Sequence, residues 1–347
     1  MRALRAIPGQ ANSADLAQVE EPPESDGAVL VETIAVGICG TDVEIIAGEY
    51  GWSPPGRDAL IIGHEAVGRV SSAPPDSGFS TGDLVVPIVR RPDPVPCSFC
   101  AVGEWDMCTN GRYVERGIKE LDGYASDRFR IEPEFLVPVP SHLDGLAVLV
   151  EPTSVVAKAW DHIERIGHRS RAWHPSQVLV TGAGPIGLLA ALLARQRGAD
   201  VHVFDRASSG PKPQLVADLG ATYHCGDLSA LNEAPDIIIE CTGAAAVLGD
   251  VIKRTAAGGI VCLAGVSAGG NQSRVDLGEV NRRMVLENDV IFGSVNANRR
   301  HYAAAVSSLA EADPGWLSRL ITRRVPVDRW RDGFTRQPDD VKTVLEF

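Results

Sequence analysis

The chain reads as an α/β protein of two domains, a turn-rich β-barrel-like domain and a doubly wound parallel sheet. Three observations predict this. The 347 residues exceed one ordinary core, since domains run to roughly 100–200 residues. The first part carries short apolar runs broken by Gly and Pro. From Gln177 onward the pattern becomes strand, glycine turn, helix, strand, and repeats.

In the first part, Ala28 to Thr33, Ala66 to Ser71 and Asp83 to Val89 read as short strands, the last after the turn-like Ser80-Thr81-Gly82. Short strands with frequent turns favour a compact barrel over βαβ units. Pro92 to Gly111 is rich in Pro, Cys and Gly and reads as an excursion loop. Leu146 to Trp160 places Ala147, Val148, Val150, Val155, Val156 and Ala159 near one helical face, interrupted at Pro152, so a kinked or two-part helix is expected. Val178-Leu179-Val180 then forms a strand, Leu188 to Arg197 an Ala/Leu-rich helix, and Val201 to Phe204 the next strand. Asp236 to Glu240, Gly259 to Ala264 and Val290 to Ser294 read as buried parallel strands. After about Asn298 the chain reads as mainly helical, and a final β-run, Thr343 to Phe347, returns to the first domain.

The formal net charge of −12 excludes a nucleic-acid groove, which needs clustered Lys and Arg. The N-terminus lacks the apolar core of a secretory signal. The longest apolar stretch, Ile186 to Ala194, is short of the ~20 residues a membrane span needs. A cytoplasmic protein with no membrane partner is expected. The seven cysteines therefore read as ligands or core residues, not disulfides. Cys225, Cys241 and Cys262 stand alone by apolar runs and read as packing residues.

Gly182-Ala183-Gly184-Pro185-Ile186-Gly187 lies between strand and helix. Gly182 suits the tight turn, Gly184 lets the backbone approach a pyrophosphate, and Gly187 lets helix and strand pack closely. Asp205, ending the next strand, can accept both hydrogen bonds of an adenosine ribose diol and repel a 2′-phosphate. That favours NAD. Arg206 can stack on adenine or pair with a 2′-phosphate, so NADP tolerance is expected beside the NAD preference.

Cys39-Gly40-Thr41-Asp42 and Gly63-His64-Glu65 offer a thiolate, an imidazole and a carboxylate, the ligand types of an open catalytic zinc site. Glu151, in Val150-Glu151-Pro152, is a further candidate. One thiolate and one carboxylate neutralise the metal, whereas both carboxylates together would weaken the Lewis acid. Exchange is expected, with Glu151 on or beside the metal and Glu65 moving in or contacting through water. Thr41, two residues from the thiolate, is placed to pass the alcohol proton outward.

These motifs together make the chain resemble the medium-chain, zinc-dependent alcohol dehydrogenases, over its whole length. Gly48-Glu49-Tyr50-Gly51, Arg90-Arg91, Tyr113 to Ile118, Val150-Glu151-Pro152 and Gly293-Ser294-Val295-Asn296 narrow the resemblance to the glucose 1-dehydrogenases. The resemblance implies a GroES-like catalytic domain split over residues 1–155 and 298–347, around a Rossmann domain at 156–297. It implies oxidation of D-glucose to gluconolactone, with Cys39, His64, Glu65 and Glu151 matching the catalytic metal site. Thr41, Glu65, Glu115, Glu151 and Asn296 match sugar-contacting positions. The cofactor candidates are Gly182, Gly184, Pro185, Ile186, Gly187, Asp205, Arg206, Thr242 and Asn296. A homodimer or homotetramer is implied, through a sheet edge at Val290 to Val295.

Two departures stand out. Val89 and Val155 occupy positions where some relatives place polar residues, which leaves open a dehydrogenase of another sugar, polyol or secondary alcohol. Of four expected lobe cysteines only Cys97, Cys100 and Cys108 are present, so Asp93 is the candidate fourth ligand of a structural zinc. A catalytically inactive nucleotide-binding sensor is the alternative of a different class, and the complete set Cys39, His64, Glu65, Glu151 argues against it.

Overall fold

The structure is a computed structural model that describes all residues except 229–230, 232–233 and 268–274. The chain forms two compact units, Met1–Ser154 with Asn296–Phe347, and Val155–Val295.

The first unit is built on a seven-stranded sheet. Its path runs Leu136–Pro138, Leu84–Pro87, Glu65–Ser72, Val29–Gly37, Lys342–Glu346, Ile321–Pro326, and Arg128–Ile131 also pairs with Val29–Gly37. Val29, Val31, Thr33 and Ala35 alternate inward along their strand, the period-2 pattern of a sheet with one face in the core. Register does the positioning. Gly37 lies opposite Glu65 on one side and Val344 on the other. The C-terminal strand thus brings Lys342 beside a residue almost three hundred positions earlier.

The returning β-run was legible in the sequence. The strand Ile321–Pro326, which pairs parallel with it, was not, because Ile-Thr-Arg-Arg-Val-Pro lacks a clean alternation. Its Arg323 is held by both carboxylate oxygens of Asp340, at 2.7 and 2.8 Å, so an edge strand tolerates the charge. The expected two-part segment occurs, but its break lies before Pro152 and not at it. A short 3-10 turn, Ala147–Leu149, leads into one helix, Val150–Gly167, and Pro152 falls in the first turn, where a missing N–H costs nothing.

The second unit is a six-stranded, wholly parallel sheet. Its order is Thr222–His224, Asp200–Phe204, Gln177–Thr181, Ile237–Glu240, Ile260–Leu263, Val290–Gly293. The order reverses beside Gln177–Thr181, so ligands are expected outside its carboxyl end. Leu179, Phe204, Ile238, Val251 and Val261 form the core of the sheet. Cys262 is buried and Cys241 partly so, but Cys225 is exposed. It follows the outermost strand, where no neighbouring element covers it, so its packing reading is corrected. No helix among the described residues is long and apolar enough to cross a membrane.

Candidate functional site

In the first unit, the donor atoms of Cys39, His64 and Glu65 lie within 4.8 Å of one another. Cys39 precedes the helix Gly40–Ile46, whose Asp42 folds back so that Oδ2 accepts the Cys39 N–H at 2.9 Å. The other oxygen, Oδ1, stands 3.3 Å from His64 Nδ1 and accepts the Gly63 N–H. Asp42 therefore anchors the Cys39 backbone and stands against the imidazole at Nδ1, leaving His64 Nε2 for a metal, the usual place of a carboxylate behind a ligating histidine. Burial disfavours the imidazolium, yet Asp42 and Cys39 outweigh it and hold His64 well above the usual histidine range. Sequence reasoning missed Asp42 as a functional residue, although it stands in the quoted motif.

Glu65 has a partner the sequence did not reveal. Its Oε2 contacts the ammonium of Lys342, and both side chains are almost fully buried. Lys342 Nζ also donates to the Ile38 carbonyl at 3.0 Å. Burial works against this cation, but Glu65 and Cys39 more than compensate and raise its pKa. Gly37 makes the approach feasible, because a Cβ there would come within 2.3 Å of Glu65 Oε2 and 2.8 Å of Lys342 Cε.

Glu151 is buried nearby but is not in the tight cluster. Burial, with the charge of Glu65 beside it, pushes its carboxyl up to about 8. The tight cluster thus contains Glu65 and not Glu151, the reverse of the expected order of approach. The reason is charge balance. Lys342 stands against Glu65, whereas Glu151 has no cation in contact with it among the described residues. Thr41 Oγ1 stands 4.0 Å from Cys39 Sγ, at the cluster's edge.

A polar network continues from Glu151. Ser154 Oγ donates to the Glu151 carbonyl at 2.6 Å, and the buried Tyr302 phenol accepts the Val89 N–H at 3.3 Å. The next residue, Arg90, pairs with Glu115 at 3.0 Å and lies 3.8 Å from the centre of the Tyr113 ring. Glu115 Oε1 also accepts from Asn296 Nδ2 at 2.8 Å. The two distant sugar-contact candidates, Glu115 and Asn296, are therefore brought together. Asn296 sits in left-handed backbone, φ 62°, within the first unit.

In the lobe, Cys97, Cys100 and Cys108 converge as a second group. Backbone N–H groups of Cys100 and Thr109 pull the Cys97 thiol down to about 6. Asp93 is not part of the group. Its carboxylate is taken by the Val95 N–H at 2.8 Å and Arg112 Nε at 3.2 Å, so the structure corrects Asp93 as the fourth ligand.

In the second unit, the glycine turn opens the helix Pro185–Gln196, and Gly184 at its start has no side-chain cap. The first N–H groups of the helix, at Ile186 and Gly187, have no cap competing for them. At Gly187 a Cβ would meet the Gly182 carbonyl oxygen at 1.7 Å, so no larger residue fits. Thr242 packs beside Gly182, 3.0 Å from where its Cβ would be. The wholly buried Glu240, another residue missed from sequence, accepts the N–H groups of Thr242 at 2.6 Å and Gly243 at 3.1 Å and fixes that turn.

Asp205 lies where expected, but not as a bare charge. Oδ2 accepts the Ala183 N–H at 2.7 Å, Oδ1 accepts the Ala207 N–H at 3.0 Å, and Lys212 Nζ reaches both oxygens at 3.1 and 3.3 Å. The premise of an uncompensated carboxylate that repels a 2′-phosphate is therefore corrected. Arg206 is exposed beside it.

Comparison with known proteins agrees with this geometry. Residues 25–141 match the alcohol dehydrogenase GroES-like domain, and residues 144–347 match the glucose dehydrogenase C-terminus. The chain is 40% identical to glucose 1-dehydrogenase 1 of Caldivirga maquilingensis, over 100% of this chain and 99% of that one. It is 38% identical to the glucose 1-dehydrogenase of Methanocella arvoryzae, with the same coverage. Among solved structures it is similar to Haloferax mediterranei glucose dehydrogenase in complex with NADP, Zn and gluconolactone, with TM-score 0.92, 33% identity and coverage of 100% and 99%. The chain belongs to the glucose 1-dehydrogenase family of the medium-chain, zinc-dependent alcohol dehydrogenases.

Proposed function

We propose that this chain oxidises D-glucose at C1 to gluconolactone, with transfer of hydride to a nicotinamide dinucleotide. The observation that carries the reading is the cluster of one thiol, one imidazole and one carboxylate, with a lysine balancing the carboxylate. That donor set fits zinc. Cys39 and His64 would hold the ion, with Glu65 as third ligand and Glu151 close enough to exchange with it. Zinc bound there supplies Lewis-acid activation of the reacting hydroxyl.

The chain's own residues do the rest. Asp42 orients the imidazole, and Thr41 is placed to carry the hydroxyl proton outward. Glu115 and Asn296 offer a carboxylate oxygen and an amide to the sugar hydroxyls, groups that a hydrophobic alcohol would leave unpaired at a cost. In the second unit, the glycine turn and the N-terminus of the helix Pro185–Gln196 would hold the pyrophosphate. Thr242, ordered by Glu240, would contact the same ligand. NAD and NADP are both accommodated, since Asp205 can serve a diol and its charge is offset.

The test is the initial rate of nicotinamide reduction with D-glucose, run with NAD and NADP and beside xylose, galactose and sorbitol. Zinc-dependent turnover on glucose, abolished by a chelator and restored by zinc, is expected. Turnover on another sugar alone would keep the chemistry and move the specificity to Val89 and Val155.

Two further readings belong with this one. Cys97, Cys100 and Cys108 are proposed to hold a structural zinc, whose fourth ligand comes from outside Asp93. Among the described residues the strand Val290–Gly293 has a partner on one side only, and Val285 and Leu286 near it in the chain are exposed. A second copy pairing through this unit is proposed, and analytical ultracentrifugation would detect it.

A further inference from the structure

We infer that Lys212 sets the cofactor choice of this chain, by offsetting Asp205 so that a nucleotide carrying a 2′-phosphate is admitted. The inference rests on the dinucleotide reading of the second unit and deepens it.

A carboxylate at the end of the second strand of such a sheet ordinarily selects the unphosphorylated ribose in two ways. It accepts from the diol, and its charge repels a 2′-phosphate. Here both effects are reduced by residues of the same unit. An ionised carboxylate offers about four lone-pair sites. Two backbone N–H groups, of Ala183 and Ala207, and the Lys212 ammonium already draw on them. Asp205 and Lys212 are both largely buried, with side-chain exposures of 9% and 16%.

The placement of Lys212 is structural, not incidental. It occupies the first turn of the helix Pro211–Asp218, which follows Gly210 in left-handed backbone, φ 88°. The intervening loop is tied down by Tyr223, whose hydroxyl donates to the Ala207 carbonyl at 2.5 Å. That loop presents Arg206, Ser208 and Ser209 to solvent. Asp205 and Lys212 cancel, and Arg206 leaves one net positive charge, with serine hydroxyls beside it. This is a setting for a phosphate dianion, not one that rejects it. With Lys212 removed, Asp205 would regain its charge at the same spot and the loop's net charge would fall to zero.

The experiment uses fragments of the cofactor and needs no turnover. Calorimetric titration of the full-length chain with 5′-AMP and with 2′,5′-ADP measures the ratio of the two affinities directly. The native chain is expected to bind 2′,5′-ADP at least as well as 5′-AMP. Lys212→Met is expected to weaken 2′,5′-ADP by about 10–30-fold, the effect of one charge on a dianion about 5 Å away in a water-rich setting. Binding of 5′-AMP should change by less than about threefold. Lys212→Arg should restore the ratio, and the effect of Lys212→Met should shrink as salt is raised.

A role in packing alone would weaken both ligands together and show no salt dependence, and that result would overturn the inference. An unchanged ratio in a folded Lys212→Met chain would overturn it too. Should the unpaired Asp205 prevent folding, the double variant Lys212→Met/Asp205→Asn carries the test. Its neutral pair should return the ratio towards the native one, and a ratio still shifted by tenfold would count against charge as the cause. Failure of the native chain to bind 5′-AMP at all would instead sink the dinucleotide reading itself.

Discussion

Replacing Lys342 with methionine removes the cation from the buried ion pair and keeps its volume. Lys342 and Glu65 are each 2% exposed, so water cannot stand in for the lost ammonium. Removing one partner of a buried pair typically costs about 3–5 kcal/mol. The Ile38 carbonyl loses its donor as well, a loss of about 1 kcal/mol. In the metal-free chain the destabilisation should therefore be about 4 kcal/mol.

Zinc changes this arithmetic. A bound dication compensates Glu65 in place of Lys342, so the same substitution should cost less in the zinc-loaded chain. By linkage, the difference between the two costs appears as tighter zinc binding, tenfold for each 1.4 kcal/mol. Turnover should nevertheless fall, because a more negative ligand set makes a weaker Lewis acid. Hydrogen exchange of amides in the strand Glu65–Ser72, with and without chelator, reads the local stability, and competition with a chromophoric chelator reads the affinity. Equal destabilisation in the two states, or an unchanged zinc affinity, would refute the claim that Lys342 stands in for the metal's charge.

Three other predictions follow from single observations. Glu151→Gln should alter the pH dependence of the metal-free chain. The Glu151 carboxyl is raised to about 8, so its contribution to stability is full below the ordinary carboxylate range and is lost as pH rises through about 8. The variant's melting temperature should lack that decline, and an identical decline would count against burial of the charge. Cys97, held down to about 6, should react with a thiol-selective disulfide reagent at pH 7 once zinc is chelated. A reaction rate at pH 7 no greater than that of an ordinary cysteine would contradict this. Gly187→Ala should cost more than about tenfold in 5′-AMP affinity, because its methyl would overlap the Gly182 carbonyl. Unchanged binding by calorimetry would mean that the turn relaxes freely.

Much of this protein was legible without coordinates. The glycine turn between Val180 and Leu188 fixes a strand-to-helix junction locally, since only glycine allows the turn and the close packing. The motifs around Cys39 and His64 identify ligands by chemistry, because few roles require that thiol and that imidazole in one β-rich unit. Period-2 and buried apolar runs give nine of the nineteen strands among the described residues, including five of the six in the parallel sheet. The strand Ile321–Pro326 escaped because its polarity is satisfied by Asp340, a partner that no local pattern announces.

What only the tertiary structure decided is charge. A sequence shows Glu65, Asp205 and Asp93 as three carboxylates free for duty, and the fold treats each differently. Sheet register sets Lys342 against Glu65, a helix turn sets Lys212 against Asp205, and Arg112 draws Asp93 out of the thiol group. Each pairing joins residues by geometry and not by spacing, and the field at a site depends on every charge within reach. Which groups the motifs bring to the candidate site was therefore written in the chain, whereas the charge each presents there was settled by what the fold placed beside it.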